Sequence, residues 1–174
     1  MTVNDAFVSE LGHQPRVLER AVFSSGTGFV HNEGSSQSVD GTLSQSPGKP
    51  PHIMCVDDEQ DILSVAKLAL ETVGGYQVTT CCGGTVALER VRDIKPDLIL
   101  LDVMMPHLSG PATLRELRNI DEFSSTPIIF MTARVQPHEV EEYLKLGASA
   151  VVHKPFDPMQ LAGQIGEVLK NLKN

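Results

Sequence analysis

Five reactive side chains stand at the ends of short apolar runs: Asp57 and Asp58 follow Ile53-Met-Cys-Val56, Asp102 follows Leu98-Ile-Leu-Leu101, Thr132 follows Ile128-Ile-Phe-Met131, and Lys154 comes just after Val151-Val152. Three carboxylates brought together repel one another, which raises their pKa values unless a cation neutralises them. An all-oxygen acidic set suits Mg²⁺, with Mn²⁺ as an alternative. A hydroxyl and an ammonium at neighbouring run ends add a donor and a positive charge, the equipment needed to hold a phosphoryl group beside the metal. Any one of these residues could be an ordinary surface Asp or Lys. The five share a site only if the runs lie side by side with the same ends together.

The rest of the chain after His52 supplies that arrangement. Strands are expected at Ile53 to Val56, Gln77 to Cys81, Leu98 to Leu101, Ile128 to Met131 and Val151 to Val152. They alternate with helices at Gln60 to Val73, Thr85 to Ile94, Gly110 to Asn119, Pro137 to Leu146 and Pro158 to Leu172. Continuous apolar runs read as strands buried on both faces, and alternation with helices implies a doubly wound α/β fold with a parallel sheet and right-handed crossovers. Ligands of such sheets bind outside the carboxyl ends of the strands, where all five residues fall. The last helix is well marked: Asp157 at the N-cap, Pro158 at N1, Gln160 at N3, and a stripe of Leu161, Ile165, Val168 and Leu172.

Residues 52–174 resemble the receiver domain of two-component response regulators. The resemblance rests on Val56-Asp57-Asp58-Glu59, Leu101-Asp102-Val103-Met104-Met105-Pro106 with Gly110, Met131-Thr132-Ala133, and His153-Lys154-Pro155-Phe156, in that order. It implies a flavodoxin-like five-stranded parallel sheet in the order 2-1-3-4-5, counting strands from His52. It implies that Asp102 accepts a phosphoryl group from a phosphohistidine, so a sensor histidine kinase or a histidine phosphotransfer protein is the expected partner, with a downstream protein target beyond it. By the same resemblance Asp58, Asp102 and the Met104 backbone carbonyl coordinate Mg²⁺, Asp57 acts through a metal-bound water, and Thr132 and Lys154 grip the phosphoryl oxygens. The Lys154-Pro155 bond is cis in that family. The expected role is that of a stand-alone receiver, catalysing only its own phosphorylation and dephosphorylation. The competing reading is a phosphatase of the haloacid dehalogenase type, which also forms an aspartyl phosphate but needs a second Asp where this chain has Met104.

The sequence departs from the family at Val151, where a Tyr or Phe ring commonly stands three residues before the lysine. With no ring there, a conformational response must rest on the loop from Arg134 to Glu139 and on the helix from Pro137 to Leu146. In the first helix after His52, Ile62, Val65 and Ala69 form one apolar line and Leu63, Ala66, Leu70 and Val73 another. By family resemblance Ile62 and Val65 are the better candidates for a kinase-docking face.

Composition narrows the remaining choices. The 174 residues carry a net charge of −8, most of it after His52, which argues against direct binding of nucleic acid. No apolar run reaches transmembrane length and Met1 to Glu10 carries no secretory pattern, so a cytoplasmic, membrane-free protein is expected. Cys55, Cys81 and Cys82 read as buried thiols in a reducing compartment. Gly41 to Lys49 does not have P-loop spacing, the histidines lack zinc-ligand spacing, and the acidic pair after the first strand is incompatible with a dinucleotide loop. No DNA-binding or catalytic output segment is expected after Asn174.

Residues 1–51 read as a flexible Ser/Gly-rich extension. From Ser24 to Lys49 there are 7 Ser and 5 Gly in 26 residues, too few apolar groups to offset the entropy of ordering. Val3 to Phe23 permits at most two short amphipathic pieces, either part of a disordered tail or a docking peptide.

Overall fold

The computed structural model describes residues 21–23, 49–134 and 136–171. The elements run in the order β1 (Ala21–Phe23), β2 (His52–Asp57), α1 (Gln60–Thr72), β3 (Gln77–Cys82), α2 (Gly84–Ile94), β4 (Leu98–Asp102), α3 (Gly110–Arg118), a short 3-10 turn (Asp121–Phe123), β5 (Ile128–Thr132), α4 (Pro137–Lys145), β6 (Ala150–His153) and α5 (Pro158–Asn171). The sheet order is β1-β6-β5-β4-β2-β3 and every pairing is parallel. Counted from His52, the five principal strands stand in the expected order 2-1-3-4-5. Apart from the 3-10 turn, which was not expected, each element from β2 onward begins and ends within a residue of its expected position.

The sixth strand has no counterpart in the sequence reading. Ala21, Val22 and Phe23 pair with Ala150, Val151 and Val152, so β1 lies along the outer side of β6. The Ser/Gly tract from Ser24 to Gly48 lies outside the described residues, as do the expected amphipathic pieces ahead of Ala21.

Strand side chains alternate between two apolar layers, as a period of two requires. Ile53, Cys55, Leu98, Leu100, Ile129 and Met131 pack with Leu63, Ala66 and Leu70 of α1 and Leu161 and Ile165 of α5. Met54, Val56, Ile99, Leu101, Ile128 and Phe130 pack on the other face with Val91 of α2 and Leu114 and Leu117 of α3. Residues of β2, β4 and β5 are buried throughout, which explains their unbroken apolar runs. Helix α4 is covered more thinly: it buries Val140 and Leu144, which meet Val151 in a small separate cluster flanked by Tyr143.

Helix α5 starts as its sequence dictates. The Asp157 carboxylate accepts from the Met159 N–H at 2.8 Å and from the Gln160 side-chain amide at 3.0 Å, while the Gln160 N–H donates to the Asp157 carbonyl at 3.1 Å. Helix α1 is less broadly buried than expected. Leu63, Ala66, Ala69 and Leu70 are buried, but Val73 is exposed, as are Val65 and Leu68, and Ile62 is half-buried. Cys55 and Cys81 are buried free thiols, and burial pushes Cys55 up to about 12, which makes it inert as a nucleophile. Cys82 corrects the expectation: the last residue of β3 points outward and is exposed.

Candidate functional site

Strands β2 and β4 are neighbours, with Val56 level with Leu101, so their carboxyl ends deliver Asp57, Asp58 and Asp102 to one place. Their carboxylate oxygens lie within 4.8 Å of one another, with Asp58 the more exposed and the other two buried. On the other side, Thr132 of β5 is level with His153 of β6, and the Lys154 N–H donates to the Thr132 carbonyl at 2.8 Å. The chain then turns through a cis Lys154-Pro155 peptide, as the family resemblance implied.

The lysine closes the site. Its Nζ stands 2.6 Å from Asp57 Oδ2, 2.7 Å from Asp102 Oδ1 and 3.9 Å from Glu59 Oε1. Burial alone would lower the Lys154 pKa, but hydrogen bonds and charges from Asp102 and Asp57 outweigh it and hold the ammonium above its usual value. Burial moves Asp102 the other way, above the ordinary carboxylate range, and the charge of Asp57 adds to that push. Lys154 and a hydrogen bond from the Met104 backbone oppose it without cancelling it.

One ammonium among three carboxylates leaves an excess of two negative charges, which a divalent cation would neutralise. Asp57 Oδ1 accepts the Glu59 N–H at 3.0 Å. Asp57 Oδ2 is buried with the Lys154 ammonium 2.6 Å away. Three carboxylates within 4.8 Å of one another, only partly balanced by that one ammonium, form an all-oxygen donor set that fits a hard cation such as Mg²⁺. The Met104 peptide adjoins the cluster through its contact with Asp102, and its side chain is exposed.

Gly110 keeps the loop after Asp102 close. A Cβ there would stand 2.2 Å from the Asp102 carbonyl oxygen, and the Gly110 N–H donates to the Val103 carbonyl at 3.0 Å. A side chain at this position would push the start of α3 away from the end of β4.

All five reactive side chains therefore meet at one edge. Val151 is buried against Val140 and Leu144, an aliphatic contact as its type requires. The sequence reading missed Tyr143. Its ring stands edge-on to Phe130 with centroids 5.4 Å apart and planes at 63°. The spacing Val140, Tyr143, Leu144 was the available signal, since positions three and four apart share one helix face.

Comparison with known proteins agrees with this geometry. Residues 53–165 match the response regulator receiver domain family. Response regulator SaeR of Staphylococcus aureus is 37% identical over 123 residues, covering 70% of this chain and 52% of that protein, so the chain spans about half the length of this curated relative. The chemotaxis response regulator CheY4 of Vibrio cholerae superposes with a TM-score of 0.65 at 28% identity, over 68% of this chain and 98% of that one. The signal receiver domain of a histidine kinase from Syntrophus aciditrophicus gives 0.63 at 30% identity, over 71% and 93%.

Proposed function

Because the chain belongs to the response regulator receiver family, we propose that Asp102 accepts a phosphoryl group from a phosphohistidine on a sensor histidine kinase or a histidine phosphotransfer protein. The observation that carries this reading is the position of Lys154 Nζ, within 2.7 Å of both Asp57 and Asp102. A carboxylate is a weak nucleophile, so transfer depends on alignment and on charge stabilisation of the phosphoryl oxygens. An Asp102 oxygen forms the new O–P bond as the P–N bond to the donor imidazole breaks, and the imidazole keeps that electron pair. Lys154 offsets the charge on the oxygens in flight, and Thr132 donates its hydroxyl proton to one of them.

Asp57, Asp58, Asp102 and the Met104 carbonyl would hold Mg²⁺, or Mn²⁺ in its place. When bound, the ion supplies the positive charge that keeps Asp102 ionised and screens the incoming phosphoryl group. The activity is confined to the protein's own phosphorylation and dephosphorylation, since Met104 stands where a phosphatase of the haloacid dehalogenase type would need its second Asp. Among the described residues no helix is long and apolar enough to cross a membrane. We place the protein in the cytoplasm, with its signal passed through protein contacts. The exposed Val65 and half-buried Ile62 on α1, near the site, form the proposed kinase-docking face.

The test is phosphorylation by acetyl phosphate with Mg²⁺, followed by mass spectrometry. Asp102→Asn abolishes the adduct, whereas Lys154→Ala keeps most of the Mg²⁺ affinity and slows transfer by about 100-fold or more. A full-level adduct on Asp102→Asn, mapped to another residue, overturns the assignment.

A further inference from the structure

The two edges of the sheet are closed by different means. At the β3 edge side chains take the backbone: Lys67 Nζ of α1 donates to the Val78 carbonyl at 3.0 Å, and Arg90 Nη1 of α2 donates to the Thr80 carbonyl at 3.3 Å. A further strand could pair there only by displacing two cations, a common device against edge pairing. At the opposite side, among the described residues, no side chain is hydrogen-bonded to the backbone of Ala150–His153. What covers β6 is β1, three residues in parallel register with Ala150, Val151 and Val152. That cover lies outside the receiver match, which begins at residue 53.

Without β1 the open strand would be Ala150-Val-Val-His153, with two β-branched residues and none of the Lys, Glu or Pro that discourage pairing. The same strand of a second copy is a sufficient partner. Antiparallel pairing about a twofold axis sets Val151 of one copy opposite Val152 of the other. Because the β3 edge is capped, such pairing closes at two chains and does not propagate.

The tether decides between cover and copy. From Phe23, residues 24–51 return the chain to β2, four strand spacings away or about 19 Å across the sheet. Fully extended, that segment reaches about 90 Å, so it spans the gap without tension. A strand tethered in this way acts at an effective concentration on the order of 1 mM, far above that of a second copy at micromolar protein.

We propose that residues 21–23 are an intramolecular cover that keeps the β6 edge from pairing with the β6 edge of a second copy, whatever the state of Asp102. The extension thereby sets the oligomeric state of the receiver.

The test is the full-length chain carrying Val22→Pro and Phe23→Pro. Proline has no N–H, so whichever of the two groups faces β6 is removed. Sedimentation is followed from about 0.01 to 1 mM, a range that ends at the effective concentration of the tether. The variant should dimerise with a midpoint at least about 10-fold below that of wild type. Amide exchange locates the contact: the β6 amides that β1 protects in wild type should exchange fast in the dilute variant and slow again as the dimer forms. Val22→Gly with Phe23→Gly keeps both N–H groups but weakens the strand, so it should move the midpoint by a smaller factor. If the proline pair does not fold, the glycine pair decides. A variant that stays monomeric throughout, a dimer whose β6 amides still exchange fast, association beyond two chains, or a midpoint equal to that of wild type overturns the proposal.

Discussion

Helix α1 contributes Leu63, Ala66 and Leu70, and α5 contributes Leu161, Ala162, Ile165 and Val168, to one continuous core with β2, β4, β5 and β6, whereas α4 buries Val140 and Leu144 in a small separate cluster with Val151. Burying a large aliphatic side chain contributes roughly 1.5–3 kcal/mol, and those of α4 meet a much smaller cluster than those of α1 and α5. The polar groups follow the same division. Beside α4 the Thr132 hydroxyl accepts the Arg134 N–H, while Glu139 has Oε1 4.0 Å from Arg134 and Oε2 buried without a hydrogen-bond partner. Receivers need both a fixed acidic cluster and a responsive element. In this chain the two are assigned to parts of the sheet with different packing depth.

The largest effect should come from comparing the two regions directly. Leu70→Ala, in α1, should cost about 2–5 kcal/mol in urea unfolding, since it opens a cavity in the main core. Val140→Ala should cost only about 1–2 kcal/mol, with faster amide exchange confined to α4 and its flanking loop. Equal losses for the two variants would erase the distinction.

A smaller effect should come from the acidic cluster. The Asp102 pKa is raised in the fold, so its carboxylate opposes folding. The stabilisation tied to its protonated form is complete below the unfolded value near 3.9 and is lost as pH rises through the folded value. Asp102→Asn does not titrate and should therefore be more stable than wild type at neutral pH without Mg²⁺. Its advantage should shrink on acidification or with saturating Mg²⁺, as thermal melts at several pH values would reveal. A destabilised Asp102→Asn would mean that the bond to Lys154 outweighs burial and repulsion.

The smallest effect concerns the chain before Lys49. Its removal takes away a three-residue pairing on β6 and none of the five site residues, so stability should fall by less than about 1 kcal/mol and acetyl phosphate labelling should be unchanged. Loss of labelling with an intact circular dichroism spectrum would show that the extension takes part in the site.

The elements after His52 were legible because periodicity, caps and buried runs agree with one another. Asp157, Pro158 and Gln160 announce α5, and the unbroken apolar runs announce β2, β4 and β5. The site was legible because it depends on residue type at strand ends. Tyr143 was not recognised because its meaning comes from what it faces: a tyrosine on an amphipathic helix is ordinary until Phe130 is placed beneath it. Strand β1 was hidden for another reason. Three residues bordering a Ser/Gly tract show no periodicity, and their pairing partner is specified only after the rest of the sheet exists. Cys82 and Val73 were assigned by hydrophobic type, although each lies at the end of its element where the neighbouring layer stops.

The placement of β1 has a consequence for how the molecule is made. It belongs to the earliest described part of the chain, yet its partner, β6, is made after every other described strand. The central strands can assemble through neighbouring βα crossovers while β1 waits, and the long loop that finally closes carries an entropy cost that three paired residues barely offset. Strand β1 should thus be the last strand to join the sheet during synthesis and the first to leave it under load, so that the edge of β6 is open in every nascent or partly unfolded copy.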